Sequence, residues 1–362
     1  MDVLPWNLTT NGCIPENEAD VSWIPKLLYT DTERVLITIV YPIIFALGII
    51  GNLGFLFVIL RLPRMRTVTN VYLSNLAIAD FCFLSLAIGD RIGRYFASPI
   101  SGDRYPIGQT GCILIITLKN ASSFASLYLI TMVTLEKYYA ICRPYQHRGK
   151  FGGKRRSMKL AILGWALALC FACTLMPAYW NFETICILWP ESEYIIPEVF
   201  GFCNPVANWA VHFANSVQTV PFFIALVVNF SMYIFIIQAL KERSRALASN
   251  ISSSNPSFLL RTKYRHQLSR MIVINGFIFF VCLAPFQFVS FAMMILSSND
   301  IYLLTQSQFE ILQNVCRTLT YINAAINSFV YSITNERYRK SFVTSFGGCK
   351  KKEQPNKITS NE

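Results

Sequence analysis

Residues 35–60 read VLITIVYPIIFALGIIGNLGFLFVIL and contain no formal charge. About 20 mostly apolar residues wound as a helix cross the hydrocarbon of a bilayer, because lipid leaves backbone amides no partner except one another. Six further blocks follow: 71–89 with Asp80, 111–135 with Lys119, 160–180, a stretch within 209–240, 271–296, and 311–334 with Arg317. Only 14% of the chain is charged, against roughly 25% in a soluble domain. The expectation is an all-α membrane protein: a seven-transmembrane helix bundle at 35–334 behind a 1–34 tail.

The first 34 residues lack a basic start followed by an apolar core, so the first span is expected to act as its own insertion signal. Positive residues collect on the cytoplasmic side of such proteins. Segments 61–70, 136–159, 241–270 and the chain from 335 hold all of the 32 Lys and Arg residues except Lys26, Arg34, Arg91, Arg94, Arg104, Lys119 and Arg317. That places the N-terminus outside and the C-terminus inside, in a multi-pass protein of the plasma membrane. The net charge of +12 is then a topology signal, not a nucleic-acid footprint. Cys13, Cys112, Cys186 and Cys203 fall on the oxidising side, enough for two disulfides.

Asn7-Leu8-Thr9 is a glycosylation acceptor on that outer side. The outer segment 181–208 is long, aromatic and acidic, whereas the inner segment 241–270 contains the flexible SNISSSNPS at 249–257. In 335–346 (NERYRKSFVTSF), Tyr338, Phe342 and Phe346 recur every four residues among basic neighbours. This predicts a short amphipathic cytoplasmic helix on membrane lipid, followed by a 347–362 tail. Cys349 beside Lys350, Lys351 and Lys352 is a candidate palmitoylation site.

Polar residues at bilayer depth are costly, and each is a candidate functional residue. Asp80 is the deepest. Its expected company is Asn52, Ser126, Asn323 and Asn327, the last two sharing a helix face. Carboxylate, hydroxyl and amide oxygens suit a small hard cation such as sodium, a water cluster, or an ion-free polar hub. No metal cluster and no organic cofactor is expected.

Asn52 in GNLGF, Asp80 in LSNLAIAD, Cys112, Trp165, Pro221, Pro285 in CLAPF and NSFVY at 327–331 form an ordered set. In this order and spacing the chain resembles the rhodopsin-like (class A) G-protein-coupled receptors over about residues 35–346, with a peptide-receptor-like LSNLAIADF segment. The resemblance implies an outward-facing ligand site, a heterotrimeric G protein as inner partner, and arrestin as a further one. It also implies a disulfide from Cys112 to the outer segment, where Cys203 and Cys186 compete. Cys203, 18 residues before Pro221, is favoured, leaving Cys186 to pair with Cys13. Leu127, Pro221 and Phe279 would form the packing switch, and Pro285 the bend of span six.

The switch residues depart from the family. The acidic-Arg-Tyr triplet is Glu136-Lys137-Tyr138, and lysine lacks the planar fork of arginine. Leu283 stands where the sixth-span tryptophan is expected, and Ser328 where a proline would follow Asn327. Asn229 holds the fifth-span tyrosine position, with Tyr233 one turn on, and Tyr331 closes NSFVY. Arg265 offers Lys137 no acidic partner. These departures make a decoy or scaffolding receptor, which binds without activating a G protein, the alternative to a signalling receptor.

The expected ligand contacts are Lys119, Arg317, Asp90, Arg91, Tyr321 and Ser123. Lys119 lies two turns inside Cys112, where amine receptors of the family carry an aspartate, so a monoamine ligand is disfavoured. Either Lys119 pairs internally with Asp90, or Lys119 and Arg317 meet an acidic group of a peptide or of a small organic or lipid acid. A peptide is the preferred expectation. Tyr321 replaces the Schiff-base lysine of an opsin. No paired carboxylates, zinc motif or nucleophile–base set suggests an enzyme, and no internal symmetry or broken helix suggests a transporter.

Overall fold

The computed structural model describes residues 27–150, 153–186, 197–249, 256–297 and 305–346. The acceptor Asn7, Cys13, Cys349, the tip of the acidic outer segment and the side chain of Arg265 lie outside what it describes. Helix α1 runs Asp31–Arg61, opening on a Thr30 cap whose hydroxyl accepts the Glu33 amide and including a π turn at Leu36–Val40. Then come α2 (Val68–Ala97), α3 (Gly108–Cys142), α4 (Pro144–Lys150) and α5 (Lys154–Thr174). Strands β1 (Asn181–Cys186) and β2 (Val199–Asn204) follow, then α6 (Asn208–Ser249), α7 (Pro256–Ser297), α8 (Gln306–Thr334) and α9 (Glu336–Phe346).

Among the described residues six helices, α1, α2, α3, α5, α6 and α7, contain windows long and apolar enough to cross a membrane. Their outward faces are greasy: Ile39, Ile43, Leu47, Ile50 and Leu60 of α1, and Ile224, Val227 and Ile234 of α6, are exposed. The seventh spanning element, α8, begins a turn before the expected 311, behind a Thr305–Gln308 capping box. Its apolar residues Ile311, Val315 and Ile333 face outward, while Asn314, Asn323, Asn327 and Ser328 are buried against α1, α2 and α7. A helix that turns its amides inward has lower mean hydropathy, yet it fits a bilayer because its polar face is covered by protein.

The short hairpin of β1 and β2 pairs Phe182 with Cys203 and Cys186 with Val199. Cys203 is disulfide-bonded to Cys112 at the start of α3, with a Cα–Cα distance of 5.9 Å, as favoured from the sequence. Cys186 is also disulfide-bonded, and its partner lies outside the described residues. The hairpin is further tied to the α2–α3 connection, since Arg104 N–H donates to Gly201 O at 2.7 Å and Gly201 N–H to Asp103 Oδ1 at 2.9 Å.

At the opposite end, α9 docks on the bundle. Tyr338 stacks on Phe55 at 5.8 Å, lies 6.1 Å from Tyr331, and donates its hydroxyl to Asn70. Phe346 packs on Phe57 at 5.2 Å. The expected apolar face of this helix is therefore divided, with Tyr338 buried in the bundle and Phe346 still 61% exposed.

Between these ends, packing dictates several glycines, Gly276 among them. A Cβ on Gly276 of α7 would collide with the Tyr233 hydroxyl of α6, which lies 3.1 Å from Thr134 Oγ1 of α3. Overfilling a packed contact costs about 1–3 kcal/mol. Gly276→Ala should therefore lower the apparent melting temperature of the purified chain, and Tyr233→Ala in the same background should recover part of the loss. An unchanged melting temperature for Gly276→Ala would contradict this packing.

Candidate functional site

Three polar clusters lie along the bundle axis. At the hairpin end, residues one turn apart along α2 meet the connection to α3. Asp90 receives Arg94 at 3.1 Å and Arg104 at 2.7 Å, one arginine on each carboxylate oxygen. Glu33 of α1 receives Arg91 at 3.3 Å and the Ser101 hydroxyl at 3.2 Å. Burial, with Arg94 beside it, pulls the Arg104 guanidinium down to about 10, so it stays charged at neutral pH. The internal pairing of Lys119 with Asp90 is not adopted, because the two arginines take both oxygens. Lys119 has no carboxylate within ion-pair distance among the described residues, although Arg104, Asp90, Arg317 and Arg94 are all within electrostatic reach. Arg317 donates at 2.8 Å to Asn314 Oδ1 one turn earlier on α8, and among the described residues to no carboxylate. Tyr321 is buried, edge-on to Tyr41 at 5.1 Å, and Ser123 of α3 is half-buried.

At mid-depth, Asp80 is 1% exposed. Ser126 Oγ of α3 donates to one of its oxygens at 3.1 Å and Asn327 Nδ2 of α8 to the other at 2.6 Å. Asn52 of α1 donates to the Ala324 carbonyl at 3.0 Å and accepts from Ser328 at 3.3 Å. Ser328, the residue in the proline position, thus contributes a hydroxyl where proline would contribute none. The Oδ1 atoms of Asn323 and Asn327 are buried without a protein partner. Trp165 of α5 donates to Asn75 of α2 at 3.2 Å, which gives the motif tryptophan its structural task.

Beside this lies the packing layer. Leu127 and the buried Phe222, Phe279, Phe280 and Leu283 belong to one apolar cluster. Phe222 and Phe280 have ring centroids 5.6 Å apart, and Phe279 and Phe280 5.4 Å. Leu283, in place of the tryptophan, is held inside this phenylalanine group. Pro221 and Pro285 both lie within helices.

At the α9 end, Lys137 Nζ is 2.8 Å from Glu136 Oε2 and donates to Thr69 Oγ1 of α2 at 2.5 Å. Thr69 in turn donates to Glu136 at 3.2 Å, and His147 of α4 contacts the other Glu136 oxygen at 3.3 Å. Both members of the pair are over nine-tenths buried. Lys137 is therefore closed onto its own neighbour and α2. Tyr138 points elsewhere, 6.1 Å from Phe235 of α6. Asn229 Nδ2 donates to Thr131 at 2.9 Å, while Tyr233 supplies the phenol one turn on.

The sequence missed Thr69, His147, Asn70, Glu33, Arg104 and Asn275. Asn275 of α7 was the most visible of these, an amide in the middle of an apolar span; it is 1% exposed with neither side-chain polar atom partnered. Arg104 sits in a connection whose path no periodicity reveals.

The charge pairing gives a sharp contrast. Removing one member of a buried ion pair strands its partner at a cost of roughly 3–5 kcal/mol. Asp90→Ala should depress surface expression and melting temperature strongly, because it strands two arginines. Lys119→Ala should leave both nearly unchanged. Equal losses in the two variants would show that Lys119 is part of the internal pairing.

Residues 51–331 match the family model described as 7 transmembrane receptor (rhodopsin family). The chain is 24% identical to somatostatin receptor type 2 of Mus musculus over 321 residues, covering 87% of this chain and 78% of that receptor. It is 26% identical to somatostatin receptor type 5 of Bos taurus over 346 residues, 93% of this chain and 83% of the other. With neuropeptides B/W receptor type 1 of Mus musculus the identity is 29% over 318 residues, 85% of each. A match across more than half the chain, on a bundle built around Asn52, Asp80 and Asn327, establishes the family: this chain belongs to the seven-transmembrane receptors of the rhodopsin family.

Proposed function

We propose that the chain is a plasma-membrane receptor, N-terminus outside, that binds an extracellular peptide and activates a heterotrimeric G protein. The charge bias of the inter-span segments supports that orientation. The peptide reading draws on the relatives, whose names are those of somatostatin and neuropeptide B/W receptors. The observation that carries the signalling reading is the closed Glu136–Lys137–Thr69 contact. It ties α3 to α2 at the end where a G protein would enter, and it can be exchanged for another arrangement. Pro285 removes a backbone hydrogen bond from α7 and gives its inner half a bend about which to swing outward. A ligand that prefers the open form would shift this balance by its differential affinity alone.

Asp80, Ser126, Asn323 and Asn327 are the residues that would hold a sodium ion or a small water cluster. The unpartnered Asn323 and Asn327 oxygens beside an otherwise apolar interior are hard donors of the right type. A bound cation would supply positive charge to Asp80 in the closed form. The decoy reading remains the second one, favoured by Leu283, Ser328 and Lys137 together. Arrestin and lipid contacts at the α9 end, palmitoylation at Cys349 and glycosylation at Asn7 belong to the same proposal.

The direct test is nucleotide exchange on purified G proteins by the full-length chain in nanodiscs, with a synthetic peptide library as the ligand source. Glu136→Gln should raise basal exchange roughly 5–30-fold, the factor that corresponds to about 1–2 kcal/mol. Lys137→Arg should retain or increase ligand-driven exchange. If wild type, Glu136→Gln and Lys137→Arg all bind peptide and none drives exchange, the chain is a decoy. Sodium should raise the melting temperature of the wild type and not of Asp80→Asn; equal responses would remove the ion from the proposal.

A further inference from the structure

We propose that Asn275 of α7 and Tyr331 of α8 hold a buried water between them, and that this bridge latches the inner half of α7 to α8 in the closed form. This rests on the reading of α7 as the helix that swings outward, and it names a contact that the swing must break. Asn275 is the one side-chain amide between Arg270 and Pro285. It is 1% exposed, and neither its oxygen nor its nitrogen has a protein partner. Helical spacing puts it on the face of Met271, Ile272 and Phe279, which share one apolar cluster with Tyr331. Tyr331 is as deeply buried, and its hydroxyl also lacks a direct bond. The phenol nevertheless comes close enough to the Asn275 amide for the two to interact.

An amide set into an apolar cluster gives up its hydrogen bonds to bulk water and destabilises the closed form unless something replaces them. A leucine has nearly the same shape and would need no replacement. The groups present are mixed: Asn275 supplies two N–H donors and an acceptor oxygen, and the Tyr331 hydroxyl both donates and accepts. A water satisfies such a set, whereas a cation would meet donor hydrogens. Asn327 adds a third group. It lies one turn before Tyr331 on the same face of α8, and its Oδ1 also has no protein partner. Its Nδ2 is held by Asp80, so the bridge continues the Asp80 group to the helix that carries the bend at Pro285. Two to four polar partners are what a buried water requires. When the inner half of α7 moves outward, Asn275 leaves Tyr331 and the bridge is lost.

The experiment pairs two measurements on the full-length chain in nanodiscs. X-ray radiolysis in heavy-oxygen water, read by mass spectrometry, labels side chains that lie beside buried water. Basal nucleotide exchange on purified G proteins reads the latch. Tyr331 should take up label in the wild type despite its burial, and Asn275→Leu should cut that uptake about fivefold. Basal exchange should rise about fivefold in Asn275→Leu and in Tyr331→Phe, the scale of one net hydrogen bond. The double variant should rise no further than the larger single, because each change removes the same bridge. Asn275→Ser, which keeps a hydroxyl for the water, should stay close to the wild type. Tyr331→Phe deletes a single atom and carries the exchange test if the leucine variant does not fold. Effects that multiply in the double variant overturn the proposal. Wild-type exchange with Tyr331 labelling unaffected by Asn275→Leu removes the bridge and leaves the signalling receptor standing. A loss of labelling in Asn275→Leu with no exchange from any variant keeps the bridge as an internal contact and removes both the latch and the signalling reading.

Discussion

The hydrocarbon of a bilayer offers no hydrogen-bond partner, so the Asp80 carboxylate has to be met from within the chain. Ser126 on α3 and Asn327 on α8 meet it, one on each oxygen. That single demand fixes the register of three helices. It also explains why α8 turns its amides inward and Ile311, Val315 and Ile333 outward. Asn52, joined to Ala324 and Ser328, brings α1 into the same arrangement. Gly48 allows it, because any side chain there would strike Leu84 and Ala325. The fold is a set of apolar helices aligned by a few polar groups that could not be left alone.

The two ends of the bundle use charge differently. At the α9 end the pairing is closed: Glu136 satisfies Lys137, Thr69 and His147 together. At the hairpin end Asp90 and Glu33 hold Arg94, Arg104 and Arg91, and among the described residues neither Lys119 nor Arg317 is ion-paired. Charge is thus closed on itself at one end of the bundle and joins α1, α2 and the α2–α3 connection at the other. The apolar layer between them, with Leu283 among Phe222, Phe279 and Phe280, is the material through which the ends must communicate. Leu283 takes the place of a tryptophan there, so any coupling relies on phenylalanine packing and on the bends at Pro221 and Pro285.

Much of this was legible from residue order. Seven spans follow from long apolar blocks, and the Asp80 group follows from the expense of polar residues at depth. Cys112–Cys203 was favoured on the resemblance and is present. Pairings that depend on which of several charges comes nearer were not legible. Asp90 lies four residues before Arg94 and could be read as its partner, but nothing in the sequence places Arg104 against it from a connecting segment. Thr69 and His147 were equally hidden, since both reach Glu136 from other elements. The start of α8 was obscured because its first turn is held by a capping box and not by hydrophobicity.

On the proposed mechanism the closed end opens when the bundle engages its inner partner. Double electron–electron resonance between labels at Arg270 of α7 and Arg155 of α5, both exposed, measures this in the full-length chain. Adding nucleotide-free heterotrimeric G protein should lengthen the distance by several ångströms, more so in Glu136→Gln. A distance distribution that stays fixed with every G-protein class, in both the wild type and Glu136→Gln, would contradict it.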